Sequence, residues 1–257
     1  MKTPSLAPFY RQLLAPPGPN VFNPWTDRDA GTDTPDNGPE ARLKRLKAHL
    51  ATDVKFILVG EAPGYQGCHV TGVPFTSERL IVAGQIPRVG SDGRRLSTRH
   101  IPWSEPSATT VWGTLYELGI EHDTMLWNAY PWHPHKPGSL QSNRTPTPKE
   151  RVLGVPVLKA LLAALPGARV FAVGKTAEAS LGEMGLAVPS WGGPHGVSGR
   201  CLRLRSASRQ SLSTTIRWLT DSVLVVALYE PSASISRTRV VPLSAVFSAA
   251  MARSKVS

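Results

Sequence analysis

Apolar residues along this chain follow two alternating patterns. In Pro39–Leu50 they recur at helical spacing, which predicts a helix with one buried face. In 54–59 they form a short continuous run that is typical of a buried strand. The same criteria predict strands at 124–129 and 168–173 and helices at 108–119, 149–165 and 175–185. Pro156 predicts a kink within the helix at 149–165.

Strands that alternate with helices favour an α/β fold in which helices cover both faces of a parallel sheet. We expect a three-layer α/β/α sandwich with a central four-stranded, mainly parallel sheet, and a fourth strand near Ala187–Pro189. In such folds ligands bind at the carboxyl ends of the strands. Glu61, Asn128 and Lys175 each follow or end a predicted strand, so they should share that edge.

The remaining segments divide the chain into three parts. Residues 1–39 are rich in Pro, Gly and Asp towards their end and predict an extended N-terminal arm over the surface. Residues 40–190 hold the predicted α/β domain. Residues 191–257 form a basic tail rich in Ser and Arg, in which only 222–229 resembles a strand. This tail is either a genuine divergent segment that contacts nucleic acid or the product of a shifted reading frame.

The composition of the chain predicts a polyanionic partner. The formal net charge is +11 and the pI is about 10.1, and clustered Lys and Arg gain affinity by releasing counterions from phosphates. The tail from Arg200 onwards supplies much of that charge. No segment has the length of apolar sequence needed to cross a membrane, so we expect a cytoplasmic protein with no membrane partner. The two cysteines, Cys68 and Cys201, are too few for a metal cluster, and we expect no cofactor.

The sequence Gly-Glu-Ala-Pro-Gly at 60–64 follows the first predicted strand and carries the clearest candidate chemistry. A turn of this kind presents backbone N–H groups around a small cavity and holds the Glu61 carboxylate where it can orient a water molecule. Phosphate binding is disfavoured, because no Gly-Lys-Ser/Thr or GxGxxG follows and Glu61 would repel an anion. The alternative is an ordinary turn with a surface glutamate.

Three segments together carry a family resemblance. GEAPGYQGCHVTGVPFTSERL, LWNAYPWHPHKPGSLQSNRTPTPKE and VFAVGKTAEASLGEMGL resemble, in order and spacing, three blocks of the uracil-DNA glycosylase superfamily, in the branch whose first motif reads GEAPG. The resemblance covers residues 55–188. It implies a monomeric DNA-repair glycosylase that removes uracil from DNA with water and leaves an abasic site. The alternatives are a nucleic-acid-binding homologue that has lost catalysis and a nucleoside or nucleotide hydrolase.

The resemblance also implies roles for three side chains. Phe75 would be the ring on which the flipped uracil stacks, and its alternative is an ordinary core position. The Asn128 amide has one donor and one acceptor, which match O4 and N3–H of uracil and mismatch cytosine; its alternative is to cap a turn. Glu61 would orient the attacking water.

The turn itself would hold the other side of the base. Backbone amides of Gly60, Ala62 and Gly64 would bind O2 of the departing uracil as it gains negative charge. Ala62 lies where another branch of the superfamily carries a catalytic aspartate. Gly64 lies where the strictest uracil enzymes place a tyrosine against the 5-methyl group of thymine, so we expect Tyr65 to exclude thymine instead.

DNA contacts are expected from the proline-rich loop after Asn128 and from the last helix. The candidates are His133, Lys136, Arg144 and Lys175. His133 and His135 are two positions apart, but no third ligand of matching type is evident, so we expect no metal.

The second catalytic motif of the family, a His-Pro-Ser near the end of the domain, is not found. The chain reads WGGPHGVSGR there, so His195 follows its proline, and the later Pro231-Ser232 is preceded by Glu230. In the family that histidine donates a hydrogen bond to O2 of uracil. His195 is the candidate for this role, with an ordinary loop histidine as the alternative.

Overall fold

The computed structural model describes residues 5–50 and 53–188 in full, and the strands at 190–191, 213–220, 223–229 and 237–242 as backbone. The chain forms two compact units, Met1–Trp191 and Gly192–Ser257. The boundary falls where the composition of the sequence changes. No helix in the described ranges is long and apolar enough to span a bilayer.

The first unit alternates helices and strands. In chain order these are α1 (Ala7–Leu13), β1 (Val21–Phe22), α2 (Pro39–Leu50), β2 (Phe56–Gly60), α3 (Cys68–Thr71), α4 (Glu78–Val82), α5 (Pro106–Leu118), β3 (Thr124–Asn128), β4 (His133–Pro134), α6 (Pro148–Ala164), β5 (Arg169–Val173), α7 (Lys175–Glu183) and β6 (Ser190–Trp191). The longer elements lie within a few residues of their predicted bounds. The predicted elements did not include α1, α3, α4, β1 or β4, all of which are short.

The central strands are parallel and in register. β2 pairs with β3 on one side, where Val59 lies opposite Trp127, and with β5 on the other, where Val59 lies opposite Ala172. The two-residue strand β6 pairs with β5 through Ala172 and Ser190. The α/β class and the parallel sheet are therefore confirmed. The full three-layer sandwich with a four-stranded sheet stays a prediction.

Successive residues of the central strands enter two different apolar clusters. Ile57 and Val59 pack in one cluster with residues of α1, α2, α6 and α7. Leu58 packs in the other with residues of α4 and α5. Side chains of a strand alternate between its two faces, so the clusters lie on opposite faces of the sheet.

The N-terminal segment belongs to the core, which corrects the expected surface arm. Phe9 packs edge-on against Trp127 of β3 at 5.2 Å between ring centroids, and Trp25 stacks on the same indole at 6.1 Å. Trp25 also donates from Nε1 to the carbonyl of Gly72 over 3.1 Å. The prediction missed this because the apolar residues are scattered among Pro, Gly and Asp with no period.

A buried ion pair holds that segment to α2. Arg42 is fully buried, and its guanidinium pairs with the buried Asp33 carboxylate at 2.5 Å. It also donates to the carbonyls of Pro24 and Asp27 at 3.3 and 3.1 Å and lies over the Phe22 ring. A single side chain therefore ties together 22–33 and α2.

The second unit contains an antiparallel meander of β7 (Ser213–Thr220), β8 (Val223–Tyr229) and β9 (Arg237–Pro242). Ile216 lies opposite Val226, and Val225 lies opposite Val240. The central strand is the one that the sequence predicted. The flanking strands are interrupted by Ser, Thr and Arg and were not predicted.

Loss of the Arg42 guanidinium should destabilise the first unit strongly. Arg42→Met leaves the Asp33 carboxylate buried without its partner, and removing one member of a buried pair costs about 3 to 5 kcal/mol. The exposed Arg94, which lies 3.6 Å from Asp36, is the matched control: Arg94→Met should change stability by less than about 0.5 kcal/mol. Urea unfolding measures both, and a loss below about 1 kcal/mol for Arg42→Met would contradict the role assigned to the pair.

Candidate active site

A cavity of about 190 Å³ lies at the carboxyl ends of β2 and β3. This is the edge of a parallel sheet at which ligands bind in α/β folds. Its wall combines the turn after β2 with residues from five other places in the chain. The lining residues are Gly60, Glu61, Ala62, Pro63, Gly64, Cys68, Phe75, Glu105, Ser107, Asn128 and Val173.

One side of the cavity depends on the absence of a side chain at Gly60. Gly60 is paired with Asn128 at the ends of the two parallel strands. A Cβ at Gly60 would overlap the Phe75 ring and lie 3.0 Å from Oδ1 of Asn128. Phe75 adopts a φ of 51°, in the left-handed region that non-glycine residues rarely occupy. This backbone conformation of Phe75 and the absence of a Cβ at Gly60 together allow the phenyl ring to lie beside the Asn128 amide.

The Asn128 amide faces this cavity with little exposure. The residue is 3% exposed, and its side chain finds no hydrogen-bonding partner within 5–50 and 53–188. The backbone around it is fixed, because Ala129 N donates to Gly60 O over 2.8 Å and Tyr130 N donates to Glu61 O over 2.9 Å. A rigid backbone with an uncommitted amide suits the recognition of a polar planar ligand.

The turn after β2 places Glu61 on the cavity wall. Glu61 is half-buried, and its carboxylate makes no hydrogen bond to the fully described part of the chain. Ala62 lies against the apolar core, while a Cβ at Gly64 would lie 3.3 Å from Nδ2 of Asn143 and 3.6 Å from Oε1 of Glu105. The structure therefore brings the Glu61 carboxylate, the Asn128 amide and the Phe75 ring to one cavity.

A second carboxyl group lines the cavity, and the sequence analysis missed it. Glu105 precedes α5, and a Cβ at Gly67 would overlap its carboxyl group. Although the residue as a whole is partly accessible, its Oε2 is buried and has no hydrogen-bonding partner among residues 5–50 and 53–188. Burial raises the pKa of Glu105 to about 7, against a lowering contribution from the Ser107 hydroxyl. The only local signal in the sequence is Pro106, which marks a helix start.

A third carboxylate fixes the segment that carries Glu105. The buried Glu78 accepts hydrogen bonds from the backbone of Leu96, Ser97 and Trp103, each at 2.9 Å, and from the Ser97 hydroxyl and the Arg95 guanidinium. Burial by itself would raise the pKa of Glu78, but these donors outweigh it and the pKa is lowered. Trp103 is thereby held two residues before Glu105.

The proline-rich loop reaches the same turn through Asn143. Its Oδ1 accepts from the backbone N–H of Tyr65 over 3.0 Å, and its amide lies beside Gly64. The Tyr65 ring packs edge-on against Trp103 at 5.2 Å between centroids. Tyr65 is therefore positioned next to the cavity but is not one of its lining residues.

Arg144 anchors this loop to the start of α6. It forms two hydrogen bonds with the Glu150 carboxylate, at 2.6 and 2.7 Å, and donates to the carbonyl of His135 over 2.9 Å. Glu150 also forms a capping box with Thr147 at the helix start. The guanidinium predicted to contact DNA is thus committed to the protein itself.

His133 likewise lies inside the protein. It is fully buried, and its Nε2 donates to the carbonyl of Ser142 over 2.9 Å, while its Nδ1 lies 2.9 Å from Nδ1 of His69. Burial lowers the pKa of His133 to about 3, so the ring is neutral. The predicted DNA contact is not available to this side chain, because the loop closes over it.

The remaining candidates divide between the surface and the undescribed part of the chain. Lys136 and Lys175 are exposed, so both are available to a polyanion. His195 lies outside the described residues. In the parts of the chain that the structure describes, no three metal-ligating side chains converge.

Comparisons with known proteins give one family. The model of the uracil DNA glycosylase superfamily matches residues 48–250. A crystal structure of wild-type SMUG2 from Pedobacter heparinus is similar to this chain, with 13% identity and a TM-score of 0.49, over 68% of this chain and 78% of that one. No curated protein matches the chain.

The buried carboxyl of Glu105 should make stability depend on pH. Folding raises the pKa of Glu105 from 4.5 to about 7, so the unfolded chain releases this proton at a lower pH than the folded protein does. The folded protein therefore loses stability as pH rises through that interval. Glu105→Gln removes the titration, so the free energy of unfolding of the wild type should fall relative to that of the variant by about 2.5 kcal/mol between pH 5 and pH 8. Denaturant unfolding measures this difference. The exposed Glu40→Gln is the control, and its difference from the wild type in free energy of unfolding should stay constant over this range. An equally constant difference for Glu105→Gln would contradict the burial of this carboxyl.

Proposed function

This chain belongs to the uracil-DNA glycosylase superfamily, and from that premise we propose that it hydrolyses the N-glycosidic bond of uracil in DNA and leaves an abasic site. The observation that carries the proposal is the cavity at the strand ends, where the Asn128 amide, the Phe75 ring and the Glu61 carboxylate meet. We also infer that the domain is a three-layer sandwich with a four-stranded sheet, which the two apolar clusters on opposite faces support.

The cavity can read one flipped base. An enzyme that cleaves a base from DNA must take it out of the stack into a pocket and read its Watson–Crick edge. The Phe75 ring, held over Gly60, offers a stacking surface. Asn128 offers a carbonyl oxygen to N3–H and an amino group to O4, whereas cytosine presents the opposite pattern. A nearly inaccessible amide that makes no hydrogen bond within the fully described residues is well placed for this discrimination.

Hydrolysis needs a water molecule on the sugar side of the base. The Glu61 carboxylate orients that water and takes its proton as it adds to C1′ of the deoxyribose. The sugar then passes through an oxocarbenium-like state while the departing uracil gains negative charge. The backbone amides of Gly60, Ala62 and Gly64, on the cavity wall, supply hydrogen bonds to O2. His195 is the candidate for a further donor.

The surroundings of the turn support selectivity and DNA contact. Tyr65 is held beside Gly64 by Asn143 and Trp103, and this position fits exclusion of the thymine methyl group. Lys136 and Lys175 are exposed and supply positive charge for the phosphate backbone. We expect the protein to act as a cytoplasmic monomer with no cofactor.

The reaction is tested with oligonucleotides that carry one uracil, single-stranded and double-stranded, followed by alkaline cleavage of abasic sites. Nicking of the uracil strand, with thymine and cytosine strands intact, is the expected result. Binding without nicking would show a nucleic-acid-binding homologue that has lost catalysis. Release of uracil from deoxyuridine or its nucleotides, with no action on DNA, would show a small-molecule hydrolase.

Substitutions at Asn128 should change which base is released. Asn128→Ala leaves one polar edge of the base unpaired, which costs about 1 to 3 kcal/mol and should lower the single-turnover rate on uracil by about 10- to 100-fold or more. Asn128→Asp should weaken uracil release and permit some cytosine release, since a carboxyl group accepts from the cytosine amino group. Glu61→Gln should slow every substrate alike, because the water is common to all of them.

The exposed Gln85→Ala is the matched control for the amide, and it should keep the wild-type rate. If Asn128→Ala remained within about twofold of the wild type on uracil, the amide would not read the base.

A further inference from the structure

We propose that Glu105 is the general acid of this site, which in its neutral form donates a proton to the carbonyl oxygen of the departing base. The proposal rests on the proposed function, because it assigns a role within the same reaction. It adds a group that neither the motifs nor the family resemblance pointed to. The position of the carboxyl group in the cavity is the observation from which it follows.

The carboxyl group is turned into the cavity. Glu105 is the N-cap residue of α5, yet its side chain does not cap the helix. The carboxyl lies against Gly67 and within reach of Gly64, where the lack of side chains leaves room for it. Its buried Oε2 has no hydrogen-bonding partner in the described residues. A buried polar atom without a partner is costly, and a bound ligand would supply the partner.

A proton donor on the cavity wall would assist the reaction. The departing base carries negative charge, and a proton supplied to its carbonyl oxygen removes that charge. Burial raises the pKa of Glu105 to about 7, so much of the carboxyl is neutral near neutral pH. The Cys68 thiol also lines the cavity, but burial, followed by the charge of Glu105, raises its pKa well above the ordinary value. Glu105 is therefore the better acid of the two.

The two glutamates then have complementary roles. As the bond between C1′ and the base nitrogen breaks, its electron pair passes to the base, and Glu105 protonates the base carbonyl oxygen. Water adds to C1′, and Glu61 takes the proton that it loses. The products are a neutral base and an abasic sugar, and solvent returns one proton to Glu105 and removes one from Glu61. Glycosidases use paired carboxyl groups in the same division of acid and base.

Few charged groups near Glu105 would favour its ionised form over its neutral form. The titratable groups on the surrounding elements are Glu61 and Tyr65 in the turn after β2, Cys68 and His69 on α3, Glu78 and Arg79 on α4, and Lys175 at the start of α7. Arg79 is exposed and donates to the hydroxyls of Ser104 and Thr109, at 3.3 and 2.9 Å, rather than to the Glu105 carboxyl. No cation among these groups pairs with Glu105.

The test is the pH dependence of single-turnover uracil release between pH 5 and pH 9. The wild-type rate should fall as pH rises through about 7, the pKa of Glu105. Glu105→Gln should lower the rate at pH 6 by about 100-fold or more, the usual contribution of a general acid, and should lose the fall near pH 7. Glu105→Asp keeps an acid and should recover part of the rate. Glu117→Gln, at the far end of α5, is the control and should keep the wild-type profile.

The outcomes separate this proposal from the one on which it rests. If the wild type releases uracil but Glu105→Gln keeps both its rate and the fall near pH 7, Glu105 is not the acid and the glycosylase function stands. If the wild type releases no uracil from any DNA strand, both proposals fail. Should Glu105→Gln fold poorly, Glu105→Asp decides: a wild-type profile with an unchanged midpoint overturns the proposal.

Discussion

The parallel pairing of β2 with β3 is the constraint on which the site depends. It places Gly60 opposite Asn128 at the ends of two buried strands. Because Gly60 has no side chain, the Phe75 ring can lie over its backbone while the Asn128 amide lies beside it. A side chain at Gly60 would separate the ring from the amide. Recognition of a planar ligand therefore depends on the absence of a side chain at Gly60 as much as on the phenyl ring and the amide beside it.

Two buried carboxyl groups in neighbouring segments show how the surroundings set their chemistry. Glu78 collects donors from Arg95, Ser97 and Trp103, and its pKa is lowered in spite of burial. Glu105, two residues after Trp103, has a buried oxygen with no partner in the described part of the chain, and burial raises its pKa. The first carboxyl is ionised and holds the backbone in place. The second is left able to exchange a proton in the cavity, at a position that the first one fixes.

Buried polar contacts also decide what the basic and imidazole side chains of the proline-rich loop do. Arg144 binds Glu150 at the start of α6, and His133 lies between Ser142 and His69. These contacts hold the loop so that Asn143 reaches the backbone of Tyr65. Side chains that suggest DNA contacts in the sequence thus serve to shape the cavity. Lys136 and Lys175 keep their charges at the surface.

The sequence by itself determined the order and type of the longer elements and three of the cavity groups. Runs such as Phe56–Gly60 and Thr124–Asn128 are apolar enough to identify buried strands, and parallel strands bring their carboxyl ends to one edge. Glu61 and Asn128 could be placed there for that reason, and Phe75 by its motif. Tertiary structure decided the rest. The aromatic residues of the N-terminal segment have no period, so their burial beside Trp127 is settled only by packing. In the sequence, Glu105 resembles any other residue that precedes a helix. Its pKa is raised only when folding removes its carboxyl group from water. The reason is that a pKa depends on the groups and the solvent around the side chain and not on its neighbours in sequence.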